Sequence, residues 1–230
     1  ALIAGTLGGG LMAGAVGLLA LRTAGVSFMI VTLMFAQAGF LTVLYLAPIT
    51  GGDDGFAVAA ASRRLLGFDL STDTPRFLAA WALFAAGLLA SLALVRSRFG
   101  RTLVAMRENE ERSRMLGYNP FAVKLAALVL SGLYSGAAGA AYGLLFGYVG
   151  ASFATIQYSI LPMLYVLLGG AGTTLGPFLG ALLMVALIEA ATGITTAHQF
   201  LLGAALLALV LSAPKGILGT IRERWVKWLP

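Results

Sequence analysis

Residues 96–124 read RSRFGRTLVAMRENEERSRMLGYNPFAVK, and this charged segment interrupts an otherwise apolar chain. It holds seven Lys or Arg side chains and three Glu side chains, whereas residues 125–188 contain no charged residue. Because each charge at the centre of a bilayer costs about 2.5–3.5 kcal/mol on insertion scales, a segment this polar must lie outside the lipid. The sequence therefore predicts membrane-spanning helices on both sides of a water-facing connection, which is the obvious place for a soluble partner to bind.

The overall composition agrees with this prediction. Hydrophobic residues make up 60% of the chain, charged residues only 10%, and the mean hydropathy is +0.94. A soluble domain carries roughly 25% charged residues, so the depletion favours a polytopic membrane protein. The absence of Cys excludes disulfides, thiolate metal sites and Cys nucleophiles. The single His excludes a His-based metal cluster, and no metal or cofactor is expected in this chain.

Apolar runs of helical length divide the chain into candidate membrane spans. Crossing a bilayer takes about 20 apolar residues in a helix, because lipid forces every backbone polar group to be satisfied internally. The sequence predicts an all-α membrane protein, a polytopic transmembrane helix bundle of about seven spans in a single domain over residues 1–230. The chain starts with the apolar ALIAGTLGGG, so we expect that an N-terminal portion of the natural protein precedes it. The candidate spans are 1–21, 24–47, 77–95, 125–148, 156–168, 177–193 and 199–213.

The distribution of charges orients these spans, because cytoplasmic loops of membrane proteins carry an excess of Lys and Arg. If 96–124 is a cytoplasmic loop, alternation makes 48–76 a periplasmic loop and 214–230 a cytoplasmic tail. This single choice places twelve cations inside and three outside, together the fifteen of the chain. The inner cations are Arg22, the seven of 96–124, Lys215, Arg222, Arg224 and Lys227, and the outer ones are Arg63, Arg64 and Arg76.

The charged connection contains its own helix signals. SRFGRTLVAMRE is typical of a helix that leaves the membrane, and ENEERSRMLG predicts a second short helix that ends at Gly117. Gly just past a helix end adopts the left-handed conformation that stops the helix, and Asn119-Pro120 then starts the next element. A solvated connector is the alternative interpretation, although about four residues would suffice for one. We interpret the short helix as a rigid lever between two spans.

Glycines at four-residue spacing favour close packing of the spans. Gly5/Gly9 in the first span and Gly132/Gly136 in the fourth are small-xxx-small steps, which let helix backbones approach closely in lipid. Packing is the simpler interpretation, and a moving helix that lines a substrate path is the alternative. The Gly-rich turn at 167–177 is not a P-loop, because no Gly-Lys-Ser/Thr follows it.

Few polar residues lie within the apolar runs. Glu189 is the only acid among them, and an intramembrane acid is a functional hypothesis by default. Its position toward the outer end of a span suits an interfacial role equally well. The candidate residues of a translocation path are Thr32, Gln37, Ser131, Ser135, Gly136, Gly169 and Gly170.

A resemblance to a known family rests on several motifs. ERSRMLG at 111–117 resembles the E-A-A-x-x-x-G loop of ABC-importer permeases, with Arg112 and Ser113 in place of the two alanines. The longer stretch GRTLVAMRENEERSRMLGYNPFAVKLAALVLSGLYSGAAGAAYG is similar to the permease subunits of branched-chain amino acid importers, the LivM type. The resemblance covers about residues 25–219, and its further motifs are TLMFAQ at 32–37, TGGDDG at 50–55, LGGAGTTLGPFLGA at 168–181 and APKGILG at 213–219.

This resemblance implies a multi-pass permease subunit of the bacterial inner membrane with no catalytic activity of its own. It implies four partners: a second homologous permease subunit, two cytosolic ATPase subunits that use ATP and Mg, and a periplasmic substrate-binding protein. No nucleic acid is implied. Closure of the ATPases would push a coupling helix at 108–119 and switch the spans between outward- and inward-facing states. The coupling residues implied in this way are Glu108, Glu110, Glu111, Arg112, Arg114, Gly117, Tyr118 and Asn119.

The sequence leaves the substrate and three competing functions open. Relatives of this type carry branched-chain amino acids, urea, short amides or aromatic acids, and apolar spans suit a small substrate without strong ionic anchors. A secondary transporter or channel would need ionisable residues within the spans, where only Glu189 qualifies. A membrane enzyme would need positioned acid–base pairs, which the spans lack. A structural scaffold is the third alternative, because glycine packing alone is compatible with it.

Overall fold

The computed structural model describes residues 1–59, 63–65, 68–70, 72–170, 172–194, 203, 207 and 216–224. Helices dominate this part of the chain, as predicted. The longer ones are α1 (Leu2–Ala20), α2 (Val26–Tyr45), α4 (Asp73–Arg96), α7 (Pro120–Phe146), α8 (Ile156–Gly169) and α9 (Gly176–Ile194). The shorter ones are α3 (Ala47–Thr50), α5 (Arg98–Glu108), α6 (Glu110–Met115), a 3₁₀ helix (Ala151–Ala154) and a helix at Gly216–Arg224. Two-residue strands are β1 (Phe56–Ala57), β2 (Arg64–Leu65), β3 (Phe68–Asp69) and β4 (Tyr148–Val149).

Four of the described helices, α1, α2, α4 and α7, are long and apolar enough to cross a membrane. They match the first four predicted spans, but α4 and α7 begin earlier than predicted because Thr72 and Asn119 take the N-cap positions. Helices α8 and α9 lie at the fifth and sixth predicted spans without being among those four. The seventh prediction, 199–213, lies outside the described residues except for Gly203 and Leu207. The count of about seven spans is therefore not confirmed.

The first of two compact units, residues 1–155, is built on the contact between α1 and α7. Gly5 near the start of α1 lies against Ala140 near the end of α7. Gly14, farther along α1, lies against Val129, which is earlier in α7. The two helices therefore run antiparallel, and the end of α1 lies beside the start of α7.

Glycines bring these two backbones into direct contact. A Cβ atom at Gly136 would collide with the Gly5 carbonyl oxygen and would lie 3.0 Å from the Gly9 Cα. A Cβ atom at Gly132 would lie 2.5 Å from the Gly9 carbonyl oxygen. By contrast, a Cβ atom at Gly139 would meet nothing within 4 Å. The predicted packing role of the Gly5/Gly9 and Gly132/Gly136 steps is confirmed.

The two ends of this unit carry different segments of the chain. Strand β4 follows the end of α7 and pairs antiparallel with β1 from loop 48–76, with Phe56 opposite Val149. At the other end, α5 and α6 from the 96–124 connection contact α7, close to where α1 ends before Arg22. The fold therefore places the described parts of 48–76 and 96–124 at opposite ends of this unit, and the assignment of the two ends to the periplasm and the cytoplasm stays a prediction.

An arginine and a leucine hold loop 48–76 on the end of α7. The Arg63 Nε donates to the Leu144 carbonyl oxygen at 3.0 Å, and its Nη2 donates to the Leu145 carbonyl oxygen at 2.5 Å. These carbonyls belong to the last helical turn, where no intrahelical donor remains and a cation is favourable. Leu70 is only 1% exposed and packs with the side chains of Leu144 and Leu145. These contacts hold the loop at Arg63 and Leu70 against the end of α7.

The second unit, residues 156–230, is described by α8, α9 and the helix at Gly216–Arg224. The turn between α8 and α9 closes tightly, because a Cβ atom at Gly169 would collide with the Gly176 carbonyl oxygen. Gly216 starts its helix directly against the backbone of Gly170. The tight turn predicted at 167–177 is confirmed, while the single domain predicted over residues 1–230 stays a prediction.

Candidate functional site

Two asparagine side chains define the helices in the connection between α4 and α7. The Asn109 Oδ1 accepts a hydrogen bond from the Arg112 backbone N–H at 2.8 Å and thereby starts α6. The Asn119 Oδ1 accepts from the Ala122 N–H at 3.3 Å and starts α7, with Pro120 in its first turn. Each such cap satisfies an N–H group that has no partner inside the helix and contributes about 1 kcal/mol.

Gly117 ends α6 in the predicted way. Its φ of 89° lies in the left-handed region, its N–H donates to the Arg114 carbonyl at 3.0 Å, and the Tyr118 N–H donates to the Ser113 carbonyl at 3.2 Å. These two bonds form a Schellman motif, which satisfies the last carbonyls of the helix and reverses the chain. Helix α6 is therefore a defined six-residue element with a cap at each end.

Two further contacts stabilise α6, one within the helix and one to α7. Ser113 is 3% exposed, and its Oγ donates to the Asn109 carbonyl oxygen at 3.0 Å. The Lys124 Nζ lies 2.6 Å from the Glu110 Oε2 and joins α6 to the first turns of α7. Both side chains of the pair are a little under half exposed, so the pair contributes about 1 kcal/mol at most. Its importance is geometric, since it ties the two helices together.

The far end of α6 presents apolar side chains to solvent. Met115 is 86% exposed, Leu116 72% and Tyr118 48%. Large apolar groups gathered on an exposed segment mark a surface that binds another protein or a membrane. We call Met115, Leu116 and Tyr118 the apolar tip.

The sequence-predicted coupling residues lie on the end of α5, on α6 and on the turn into α7. Glu108 is the last residue of α5, four of the others lie on α6, and the remaining three form the turn into α7. All eight are exposed. Sequence reasoning missed the roles of Asn109, Ser113 and Lys124, although the Asn109 cap lies at the detectable N-cap spacing before α6. The eight residues are Glu108, Glu110, Glu111, Arg112, Arg114, Gly117, Tyr118 and Asn119.

Two of the predicted path residues on α7, Ser131 and Ser135, occupy a face away from the contact with α1. Ser131 and Ser135 are exposed, as are Ala138 and Tyr142, at intervals of three and four residues that keep them on one side of a helix. We call these four residues the hydroxyl face. Lys124 precedes Ser131 by two helical turns and stands on the same side. The ion pair at the end of the bundle and the hydroxyl face are therefore aligned.

The predicted path residues on α2 are less exposed. The Thr32 Oγ1 donates to the Phe28 and Met29 carbonyls, at 3.0 and 2.9 Å, so its hydroxyl is satisfied within its own helix. Gln37 is partly buried. No hydrogen bond in the described part of the chain joins either residue to the hydroxyl face of α7.

The three predicted path glycines have packing contacts. Gly136 lies in the contact between α1 and α7, Gly169 lies against Gly176, and Gly170 lies against Gly216. These contacts explain the need for glycine at each position. A role for these three residues in lining a path stays a prediction.

In the part of the chain that the structure describes, the charged groups form few pairs and no cluster of possible metal ligands. No three His, Asp or Glu side chains are grouped there as a metal site would require. The ion pairs in the described part of the chain are Glu110–Lys124 and Asp73–Arg76. What the segment offers is a short helix that is capped at both ends and largely exposed.

Comparison with known proteins gives consistent matches. A family model described as "Branched-chain amino acid transport system / permease component" matches residues 1–210. The high-affinity branched-chain amino acid transport system permease protein LivM of Escherichia coli (strain K12) is 28% identical over 94% of this chain. A probable branched-chain amino acid transport permease protein LivM of Methanocaldococcus jannaschii is 29% identical over 68% of this chain. The matched regions span 57% and 45% of those two relatives. No solved structure matches.

Proposed function

Because this chain belongs to the branched-chain amino acid transport permease family, we propose that it acts as a membrane-spanning permease subunit of a bacterial ABC importer. It would lie in the inner membrane beside a second homologous permease subunit. Two cytosolic ATPase subunits would bind and hydrolyse ATP with Mg, and a periplasmic binding protein would deliver the substrate. The chain itself would carry out no covalent chemistry, and its work would be a change of conformation.

The observation that carries this proposal is the apolar tip at the end of α6. Met115 and Leu116 are among the most exposed large apolar side chains of the described residues, yet they lie in the charged, water-facing connection. Exposing them to water is unfavourable, and a partner that covers them gains about 25 cal/mol for each Å² buried. An ATPase subunit that binds at the inner end of the bundle would supply this cover. The neighbouring Glu111 and Arg112 would then fix its orientation.

The contacts of α6 suggest how movement of an ATPase reaches the membrane. The caps at Asn109 and Gly117 make α6 a rigid piece, so a push at the apolar tip displaces the whole helix. The Glu110–Lys124 pair and the Asn119 cap pass that displacement to α7. Helix α7 is continuous over 27 residues, so its hydroxyl face would move with its inner end.

The proposed path is formed by uncharged polar groups. Ser131 and Ser135 on the hydroxyl face, with Thr32 and Gln37 on α2, offer hydroxyl and amide groups that exchange hydrogen bonds with a solute without holding it tightly. Away from the helix ends, Glu189 is the only Asp, Glu, Lys or Arg in the described part of the predicted spans, which favours passage of a small solute of zero net charge. We propose branched-chain or related small amino acids as substrates. Transport of urea, short amides or aromatic acids is the alternative.

A cross-linking experiment tests the docking of the ATPase. These 230 residues contain no Cys, so Met115→Cys introduces a single thiol among them, at the apolar tip. In membranes that contain the full transporter, a bifunctional reagent should join this thiol to an ATPase subunit. Phe56→Cys is the matched control, because Phe56 is 49% exposed at the opposite end of the bundle. No cross-link at Met115, or an equal cross-link from both positions, would contradict the proposal.

A transport experiment tests the mechanism and the substrate class. Proteoliposomes with the assembled transporter and its binding protein should take up labelled leucine, isoleucine or valine only with ATP. Excess unlabelled amino acid should compete, and urea and benzoate should not. Uptake that continues without the ATPase subunits and disappears in Glu189→Gln would indicate a secondary transporter instead.

A further inference from the structure

Three arginines lie close together where α4 leaves the membrane. Arg96 is in the last turn of α4, and Arg98 and Arg101 are in the first turn of α5. The 24 residues of α4 span about 36 Å, somewhat more than the roughly 30 Å hydrocarbon core of a bilayer. A helix of this length is long enough for its end to reach the headgroup layer, and the three arginines stand at or directly after that end.

The chain holds these arginines in fixed positions. A single residue, Ser97, separates α4 from α5, and its Oγ accepts from the Gly100 N–H at 3.1 Å. Gly100 fits against the preceding helix so closely that a Cβ atom there would lie 2.5 Å from the Val95 carbonyl oxygen. The bend between the helices is therefore rigid, which lowers the entropy that a bound ligand must overcome.

The orientation of α5 directs Arg98 and Arg101 away from the protein. Gly100 and Met106 on the same helix are buried, whereas Arg98 and Arg101, which stand about one helical turn apart, are both exposed. The apolar side of α5 is thus used for packing. Its basic side is free to meet a charged surface.

No acidic side chain pairs with these three arginines in the described part of the chain. Two other cations do have acidic partners: Arg76 at the opposite end of α4 pairs with Asp73, and Lys124 pairs with Glu110. A cluster of three uncompensated guanidinium groups attracts anions, and guanidinium binds phosphate through two parallel hydrogen bonds.

We propose that Arg96, Arg98 and Arg101 bind the phosphates of anionic phospholipids in the leaflet where α4 ends. Depth favours lipid over protein, because the arginines follow the apolar span at once, whereas the apolar tip at Met115 and Leu116 lies beyond the break at Asn109. Bound lipid would hold α5 at the membrane surface. It would give α6 a fixed support against which a cytosolic partner can push.

Titration of the detergent-purified, full-length transporter with phosphatidylglycerol tests this proposal, with the thermal unfolding midpoint as the readout. Phosphatidylcholine and inorganic phosphate serve as separate comparison ligands. The test variant changes all three residues, Arg96→Gln, Arg98→Gln and Arg101→Gln, and Arg98→Gln alone is a milder version. The matched control is Arg76→Gln, at the other end of the same helix.

The wild type and Arg76→Gln should be stabilised by phosphatidylglycerol and not by the other two ligands. The triple variant should need about a hundredfold more phosphatidylglycerol, because each arginine near an anionic surface contributes about a factor of five. The single variant Arg98→Gln should need about fivefold more phosphatidylglycerol. It provides the test if the triple variant does not assemble. Equal responses of wild type and Arg98→Gln, or an equal effect of inorganic phosphate, would overturn the proposal. Loss of the ATPase subunits from the triple variant, with its lipid binding unchanged, would also overturn the proposal. The arginines would then belong to a protein interface.

Discussion

The Nζ of Lys124 lies 2.6 Å from the Oε2 of Glu110, and this ion pair closes the chain reversal between α6 and α7. The reversal itself is built from the left-handed Gly117 and the Asn119 cap. Because Lys124 stands two turns below Ser131 on one side of α7, the pair connects the capped short helix to the hydroxyl face. The structure therefore links a proposed docking element directly to a proposed path.

Separating Glu110 from Lys124 should weaken coupling without unfolding the protein. Glu110→Gln and Lys124→Gln should each lower uptake per ATP by about two- to fivefold, because a half-exposed pair contributes about 1 kcal/mol or less. The charge swap, Glu110→Lys with Lys124→Glu, should recover part of the loss. The measurement is labelled substrate taken up per ATP hydrolysed in proteoliposomes. Asp73→Asn, which breaks the pair at the other end of the bundle, should change nothing.

Gly117 should tolerate no β-branched residue. Gly117→Val should destabilise the turn by roughly 1–2 kcal/mol or more, because a Cβ atom opposes the left-handed conformation at φ 89°. Gly117→Asn should be milder, since Asn adopts this conformation more readily. Uptake should fall in the order wild type, Asn, Val, with equal amounts of protein in the membrane. A Val variant that transports like wild type would show that the turn is not needed for coupling.

Gly136 and Gly139 provide a matched pair for testing the contact between α1 and α7. Gly136→Ala should lower the free energy of unfolding by about 1–3 kcal/mol, because the added methyl collides with the Gly5 carbonyl. Gly139→Ala on the same helix should be neutral or slightly stabilising, since its methyl meets nothing within 4 Å. Denaturant unfolding of the full-length protein in detergent would measure both. Equal effects would mean that the two helices do not approach as described.

Arg63 should hold the outer loop on α7. Arg63→Gln should cost about 1–3 kcal/mol, because two carbonyls in the last turn lose a charged donor. Hydrogen exchange should then accelerate at the Val58 amide, which donates to the Gly147 carbonyl next to this contact. Arg76→Gln is the control, since Arg76 makes only an exposed pair with Asp73. Unchanged exchange at Val58 in Arg63→Gln would show that the loop is held by Leu70 and the strand pairing alone.

Local chemistry explains why much of the fold could be predicted. The apolar runs set four of the helices, because lipid permits no unsatisfied backbone. Gly117 and the Asn119-Pro120 pair were readable as a stop and a start, because a helix end depends on residues within one turn of it. The order of short motifs identified the family, which the match over residues 1–210 then confirmed.

Tertiary structure decided the contacts between distant residues. The small-xxx-small steps predicted close packing, but only the fold shows that Gly5 and Gly9 meet Gly132 and Gly136 while Gly139 stays open. The Arg63 cap on Leu144 and Leu145 had no signal in the sequence, because the donor and acceptors are more than 80 residues apart. The sequence by itself determined the first four long helices, the stop of α6 at Gly117 and the family, since these depend on composition and local bonding. The antiparallel fit of α1 on α7 and the joining of α6 to α7 depend on shape and distance in three dimensions, so only the folded chain reveals them.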